Sequence, residues 1–112
     1  MASNTIFALS TAPGVGAIAL VRLSGPHALI ALQKLSRKND FNPRQATHIT
    51  LTSHSREGGN PEKLDDCIAI YFPAPNSFTG EDVVEFNLHG GRAVVQGVLD
   101  ALGKMDNLRL AQ

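Results

Sequence analysis

The sequence predicts an α+β fold, in which two helices pack against a mixed β-sheet. Three observations lead to this prediction. Six short apolar stretches have the length and patterning of strands. Two longer stretches carry apolar residues at helical spacing. The order along the chain, ββαβββαβ, mixes helices and strands without strict alternation, which favours α+β over a regular α/β fold.

The first half of the chain contains two predicted strands and one helix. Residues 5–10 (TIFALS) form an apolar run before the turn TAPGVG. Residues 16–24 (GAIALVRLS) follow, and their nearly continuous apolarity predicts a strand buried on both faces. A helix is expected from Ser24-Gly25-Pro26, because proline is favoured in the first helical turn. Its apolar stripe consists of Ala28, Leu29, Leu32 and Leu35.

The second half contains four predicted strands and the second helix. THITLT (47–52) alternates and predicts a strand with one solvated face, whereas CIAIYF (67–72) predicts a buried strand. The polar stretch 53–63 between them predicts a loop. A strand over 82–88, a helix over 91–104 and a last strand over 108–111 complete the domain. The stripe of the second helix consists of Val94, Val95, Val98, Leu99 and Leu102.

The composition excludes several functional classes. The 112 residues fit one domain, and ten basic residues balance ten acidic ones, so nothing predicts phosphate-backbone binding by this domain alone. Cys67 is the only cysteine, which excludes an internal disulfide and predicts a buried, inert thiol. No apolar run is long enough to span a bilayer, so we expect a soluble, cytoplasmic protein with no membrane contact.

Sequence motifs for catalysis and for metal binding are absent. A phosphate-binding loop requires GxxxxGK[ST], but the four lysines are followed by Leu, Asn, Leu and Met. GVGAIA lacks the third glycine of a dinucleotide fingerprint. The histidines show no HExxH spacing and no serine lies in a GxSxG motif. We therefore assign no catalytic residue and no metal ligand.

The stretch SFTGEDVVEFNLHGG (77–91) concentrates the polar chemistry of the chain. Strand alternation places Glu85, Asn87 and His89 on one face, opposite the apolar Val84, Phe86 and Leu88. That polar face could be solvated, could form a metal or catalytic cluster, or could line a ligand site. The glycines of HGG favour a sharp turn into the second helix, whose free N–H groups would also attract an anion.

Arg22 is the second notable residue, because it shares a strand face with Ile18 and Leu20. An unpaired guanidinium buried there would cost several kcal/mol, so it must reach water or meet an acid. Glu85 is the expected partner if the strands over 17–24 and 82–88 are neighbours. The Arg22–Glu85 pair is then either structural or a pair of ligand contacts. Among the other polar residues of 77–91, we expect Glu81, Asp82 and His89 to serve as scaffold.

The chain resembles a known family. TAPGVGAIALVRLSG, then PNSFTGEDVVEFNLHGG about sixty residues later, and the ending LRLAQ are similar to the N-terminal domain of the MnmE (TrmE) family of bacterial tRNA-modifying GTPases. The resemblance covers nearly the whole chain except the 53–63 loop. Two positions depart from the usual pattern, Ala12 in the turn and Arg92 after HGG.

The resemblance implies a fold similar to the folate-binding domains of one-carbon enzymes. Residues 1–112 would form a single N-terminal folate-binding and homodimerisation domain of a longer protein. Its cofactor would be 5-formyltetrahydrofolate or 5,10-methylenetetrahydrofolate, and Arg22 in VRLSG and Glu85 in GEDVVEF match the family's folate-contacting positions. A further basic contact of the family lies after LRLAQ, outside this chain.

The resemblance also implies the activity of the longer protein. That protein would hydrolyse GTP, with GTP, Mg²⁺ and K⁺ bound in a separate GTPase domain, and would contact tRNA through its other parts. With its partner MnmG it would modify the wobble uridine of certain tRNAs. These 112 residues lack the GTPase motifs, so we do not expect them to be catalytic alone. Two alternatives stay open: an assembly module with a structural Arg22–Glu85 pair, and, less favoured because the chain is short, a free-standing one-carbon transferase.

Overall fold

The computed structural model describes residues 5–10, 19–53, 62–77, 79–89 and 91–111. These residues form six strands and two helices in the predicted order, which confirms the α+β fold class. The strands are β1 (Thr5–Leu9), β2 (Ala19–Ser24), β3 (Thr47–Ser53), β4 (Glu62–Phe72), β5 (Val83–Leu88) and β6 (Leu108–Leu110), and the helices are α1 (Ala28–Ser36) and α2 (Arg92–Gly103).

All six strands belong to one sheet, with the order β3-β4-β5-β2-β1-β6. The sheet is mixed because β6 pairs parallel to β1, whereas the other neighbouring strands pair antiparallel. β5 therefore lies between β4 and β2 near the middle of the sheet. This position gives β5 strand neighbours on both sides.

Both helices pack on the same side of the sheet, which we call the helix face. Alternate residues of every long strand point to this side and meet the buried residues of α1 and α2 in one core. The contributions of β2 and β5 are Val21, Leu23, Val84, Phe86 and Leu88, which are all fully buried. Burying such side chains is the main source of the free energy that stabilises the fold.

The opposite side of the sheet, which we call the open face, is covered by neither α1 nor α2. Val83, at the start of β5, is fully buried on this side. The other apolar side chains of this face are only half-buried, and they are Ile6, Ala8, Leu20, Ile68, Ile70 and Phe72. The two apolar runs of the sequence were therefore wrongly expected to be buried on both faces. An apolar run alone does not distinguish a covered face from an open one.

Two element boundaries differ from the prediction. α1 begins at Ala28, because Gly25 has a φ of 139° and turns the chain before the helix starts. β4 begins at Glu62, five residues before Cys67, because its polar first half pairs with β3. Of the predicted 53–63 loop, Ser53 belongs to β3 and residues 62–63 belong to β4. Residues 54–61 lie outside the described ones, as does the whole TAPGVG turn.

No helix in the described ranges combines the length and apolarity needed to cross a bilayer. The longer of the two, α2, has 12 residues. A membrane-spanning helix needs about 20 predominantly apolar residues.

Gly25 makes a close approach that only glycine allows. Its φ of 139° is disfavoured for any residue with a Cβ atom, and an added Cβ would lie 2.7 Å from the Cα atom of the buried Thr5. We expect Gly25→Ala to lower the free energy of unfolding by about 2–5 kcal/mol, through backbone strain and overpacking. Urea unfolding followed by circular dichroism measures this change.

Gly97 provides the matched control, because it lies inside α2 and an added Cβ would make an ordinary contact of 3.5 Å with Leu64. Gly97→Ala should raise the free energy of unfolding by about 0.5–1 kcal/mol, since alanine favours the helix. A Gly25→Ala variant as stable as the wild type would contradict the proposed role of the glycine.

Cys67 lies in β4 on the helix face and is fully buried, as predicted. Burial, with smaller contributions from the charges of Asp65 and Asp66, raises the pKa of its thiol to about 12. In the unfolded chain the thiol ionises with a pKa of about 8.5. The folded state therefore keeps a proton that the unfolded state loses between those two values.

The stability of the protein should accordingly fall as pH rises above about 8.5. Between pH 8 and pH 10 the thiol should remove about 2 kcal/mol from the free energy of unfolding. The test compares the wild type with Cys67→Ala in urea at both pH values, since the variant lacks the ionising group. If the free energy of unfolding fell equally with pH in the two proteins, burial would not be what keeps the Cys67 thiol protonated.

Candidate functional site

The predicted pairing of Arg22 with Glu85 is present at the centre of the open face. β2 and β5 are antiparallel neighbours, and their register places these two residues directly opposite each other. The Nη2 atom of Arg22 lies 2.8 Å from the Oε2 atom of Glu85, and its Nε atom lies 3.1 Å from the same oxygen. Directly opposed residues in a sheet have adjacent side chains, so the register itself produces the ion pair.

The ion pair is buried unevenly. The side chain of Glu85 is 11% exposed and that of Arg22 is 33% exposed. The same cross-strand row continues to Ala8 on β1 and to Ile70 on β4, so apolar side chains flank the charges on both sides. Removing water from a carboxylate is costly unless a partner compensates it, and Arg22 supplies that compensation.

Only one oxygen of the Glu85 carboxylate is used by this pair. The Nε and Nη2 atoms of Arg22 both donate to Oε2. Oε1 accepts no hydrogen bond from the described part of the chain. Among the described residues, His27 Nδ1 is the buried side-chain polar atom without a partner, so Oε1 of Glu85 is solvent-accessible. A carboxylate has about four acceptor positions, and the outward oxygen is therefore available to a donor from outside the chain.

A polar network lies beside the ion pair, at the end of β2. The Oγ atom of Ser24 lies 2.7 Å from the Oγ1 atom of Thr79 and donates to the Oε1 atom of Glu81 over 3.4 Å. Ser24 is two residues after Arg22 and shares its face. The sequence analysis missed Ser24 and Thr79; a small polar residue ending an otherwise apolar strand is the signal that identifies Ser24.

Asp82 and Glu81 hold the loop before β5 in place. The carboxylate of Asp82 accepts a hydrogen bond of 2.9 Å from the backbone N–H of Ala74, and its backbone carbonyl accepts one from Gly25. Ser77 donates to the backbone carbonyl of Glu81. These contacts fasten the loop to the turn after β2, which is the scaffold role expected for the two acids.

His89 lies at the end of β5 and contacts β4 rather than Glu85. Its backbone N–H donates to the Oδ2 atom of Asp65 over 2.8 Å, and its Nδ1 atom donates to the backbone carbonyl of Asp66 over 2.7 Å. The bond to the carbonyl fixes the tautomer with a proton on Nδ1. These contacts also fit the scaffold role expected for His89.

The turn between β5 and α2 only partly matches the prediction for HGG. Gly91 is the residue that precedes the helix, with φ −79° and ψ −159°, which is extended backbone open to other residues. It therefore does not need to be glycine for its torsion angles. Gly90 lies outside the described residues.

The acids on β4 are occupied by protein partners. The Nζ atom of Lys63 lies 2.6 Å from Asp66, and Thr50 donates to the same carboxylate over 2.7 Å. The hydrogen bond from Lys63, followed by that from Thr50, holds the pKa of Asp66 below its usual value. Among the residues that the structure places, no group of three or more His, Cys, Asp and Glu side chains is arranged to hold a metal ion.

The sequence is similar to a well-defined set of proteins. The family described as "GTP-binding protein TrmE N-terminus" matches residues 5–112. The tRNA modification GTPase MnmE of Parvibaculum lavamentivorans is 51% identical over 97% of this chain and 24% of its own length. MnmE of Rhodospirillum rubrum is 47% identical over the whole chain and 26% of its own length.

A mitochondrial relative shows similar identity. The 5-taurinomethyluridine-[tRNA] synthase subunit GTPB3 of Mus musculus is 47% identical over 98% of this chain and 22% of its own length. The chain thus spans about a quarter of the length of the curated relatives that it matches. Since the family match covers nearly all of its residues, the chain belongs to the TrmE N-terminus family, the N-terminal domain of tRNA modification GTPases of the MnmE type.

Proposed function

We propose that this domain binds a reduced folate on the open face of its sheet, with Glu85 and Arg22 as the contacting residues. The ligand is 5-formyltetrahydrofolate or 5,10-methylenetetrahydrofolate, and when bound it supplies a one-carbon unit. The observation that carries the proposal is the carboxylate of Glu85, which is nearly buried yet directs an unpaired oxygen out of the protein. Because Arg22 compensates the charge through the other oxygen, the outward oxygen is available to accept from a ligand donor.

The chemistry of the open face fits a pterin. The amino-pyrimidine edge of a pterin presents two adjacent N–H donors, which a carboxylate accepts together. The flat rings would cover the half-buried side chains of Leu20, Ile68 and Ile70 around the ion pair. Arg22, one-third exposed, would contact a carbonyl or the carboxylates of the glutamate tail.

The names of its relatives support a role for the domain in tRNA modification. They are named as tRNA modification GTPases and as a 5-taurinomethyluridine-[tRNA] synthase subunit, so we infer that the longer protein hydrolyses GTP and modifies tRNA. The family resemblance further implies that the modified base is the wobble uridine of certain tRNAs and that MnmG is the partner. GTP, Mg²⁺ and K⁺ would bind to its GTPase domain, and tRNA to parts beyond residues 1–112. The domain described here would supply the folate in the cytoplasm and hold two copies of the protein together.

Titration calorimetry with 5-formyltetrahydrofolate tests the site. Glu85→Gln keeps the size of the side chain but removes its charge, and each charge-assisted hydrogen bond contributes about 1.5–3 kcal/mol. We therefore expect the dissociation constant to rise by about 10- to 150-fold. Glu62→Gln is the matched control, because Glu62 is an exposed acid at the start of β4, away from the pair.

Two results would contradict the proposal. A wild-type domain that releases no heat with the folate lacks the binding activity, and equal binding by Glu85→Gln means that the site lies elsewhere. The runner-up, an assembly module with a structural ion pair, makes a different prediction. It expects the matched apolar double variant Arg22→Met with Glu85→Leu to fold as stably as the wild type or more so, with no ligand binding to lose.

The second part of the proposal, homodimerisation, has its own test. The apolar residues of the open face offer a patch that two copies could bury symmetrically, with the folate near the seam. Ile6→Lys, on β1 and outside the residues that the pterin would cover, places a charge in this patch and should lower the dimer fraction at least tenfold in sedimentation experiments. Ile30→Lys is the control on the outer side of α1, where the side chain is already 43% exposed. A wild-type domain that is monomeric at high concentration would overturn this part.

A further inference from the structure

Asn87 occupies an unusual position for an amide. It lies on β5 in the middle of the sheet, and its cross-strand neighbours on the open face are Leu20 and Ile68. Asparagine is depleted in strands, where β-branched and aromatic residues pack better. Its side chain is half-buried among apolar ones, yet nothing in the packing of the sheet requires an amide there.

The orientation of the Asn87 amide is set by the backbone. Its Nδ2 atom donates to the carbonyl oxygen of Ile68 over 3.4 Å, a long hydrogen bond. A carbonyl oxygen can only accept, so turning the amide over would place two acceptor oxygens against each other. The Oδ1 atom is therefore held away from Ile68, as an acceptor of fixed direction.

The described residues provide no donor to that acceptor. Oδ1 of Asn87 accepts no hydrogen bond from the described residues. It is also not buried, because the described buried polar atom without a hydrogen bond is Nδ1 of His27, so Oδ1 is solvent-accessible at the open face. Glu85 lies two residues earlier on the same face, about 6.7 Å away along the strand. The open face thus presents two unpaired acceptors side by side, the Oε1 atom of Glu85 and the Oδ1 atom of Asn87.

We propose that Asn87 selects the reduced state of the pterin by accepting a hydrogen bond from its ring N8–H group. The inference rests on the proposed function, in which Glu85 accepts from the amino-pyrimidine edge. N8 lies on the same flank of the bicyclic ring as the 2-amino group, within reach of a side chain one strand repeat from Glu85. Both 5-formyltetrahydrofolate and 5,10-methylenetetrahydrofolate carry this N–H group.

The oxidised ring presents the opposite chemistry at the same atom. In folate N8 has no proton and carries a lone pair, so it would face the Oδ1 atom of Asn87 as a second acceptor. Glu85 does not distinguish the two states, because the amino-pyrimidine edge is the same in both. A site that positions a polar group for a ligand hydrogen bond rejects an analogue that lacks the donor, since the group is then left unpaired.

Three ligands separate the contributions of the ring atoms. Calorimetry is performed with 5-formyltetrahydrofolate, 7,8-dihydrofolate and folate; the first two have the N8–H group and folate does not. We expect the wild-type domain to bind the first two more tightly than folate. Asn87→Leu should weaken binding of the first two by about threefold to tenfold, the range of one neutral hydrogen bond. It should not weaken folate binding and should tighten it, because the two opposed acceptors are then no longer present.

The controls distinguish this inference from the proposed function. Glu85→Gln should weaken all three ligands by the same factor. Gln96→Leu removes an amide from the exposed side of α2, on the other side of the sheet, and should change none of them. Asn87→Thr, which suits a strand, replaces Asn87→Leu if the latter folds poorly, and circular dichroism checks the fold of each.

The possible outcomes are decisive. Loss of preference for the N8–H ligands in the Asn87 variants, with folate binding retained, supports the inference. If these variants weaken all three ligands equally, or none, Asn87 does not determine specificity although the folate site stands. If the wild type binds no ligand, both the inference and the proposed function are wrong.

Discussion

The antiparallel register between β2 and β5 is the constraint on which the rest of the site depends. It places Arg22 opposite Glu85, and it also places Leu23 opposite Val84 and Val21 opposite Phe86 on the helix face. A shift of one residue would exchange the two faces of a strand, burying charge in the core and exposing Phe86. The packing of the core and the geometry of the ion pair are therefore fixed by the same hydrogen bonds.

The helices determine what the two faces of the sheet can do. α1 and α2 both cover the helix face, so that side is closed by the core. The open face keeps half-buried apolar residues together with the Glu85 carboxylate and the Asn87 amide, each of which has one oxygen that accepts no hydrogen bond from the described residues. Polar groups surrounded by apolar surface give direction to binding, whereas the apolar surface contributes area, a combination typical of small-molecule sites.

Much of this arrangement could be predicted from the sequence, because periodicity reports which side of a strand faces the core. The order of the elements, the core positions Val84, Phe86 and Leu88, and the pairing of Arg22 with Glu85 are all confirmed. The pairing could be predicted because a guanidinium on an apolar strand needs an acid. Glu85 is the acid that meets it if the strands over 17–24 and 82–88 are neighbours, and they are.

What the sequence did not reveal depends on contacts between distant segments. Ser24 meets Thr79 only because the loop before β5 folds back to the end of β2. The polar first half of β4 is a strand because β3 pairs with it, although its composition favours a loop. The direction of the Asn87 amide depends on the carbonyl of Ile68 on a neighbouring strand. Local patterns contain no information about these partners.

The parallel pairing of β6 with β1 has a consequence for how the domain forms. Thr5 aligns with Leu108, so this contact joins segments from nearly opposite ends of the chain. Bringing such segments together carries a large loss of chain entropy, which the contacts of the three-residue β6 recover only in part. The antiparallel strands β1 to β5 can assemble first, and β6 is then added to a sheet that already contains the Arg22–Glu85 ion pair. The Arg22–Glu85 pair would thus be formed before the sheet reaches its final width.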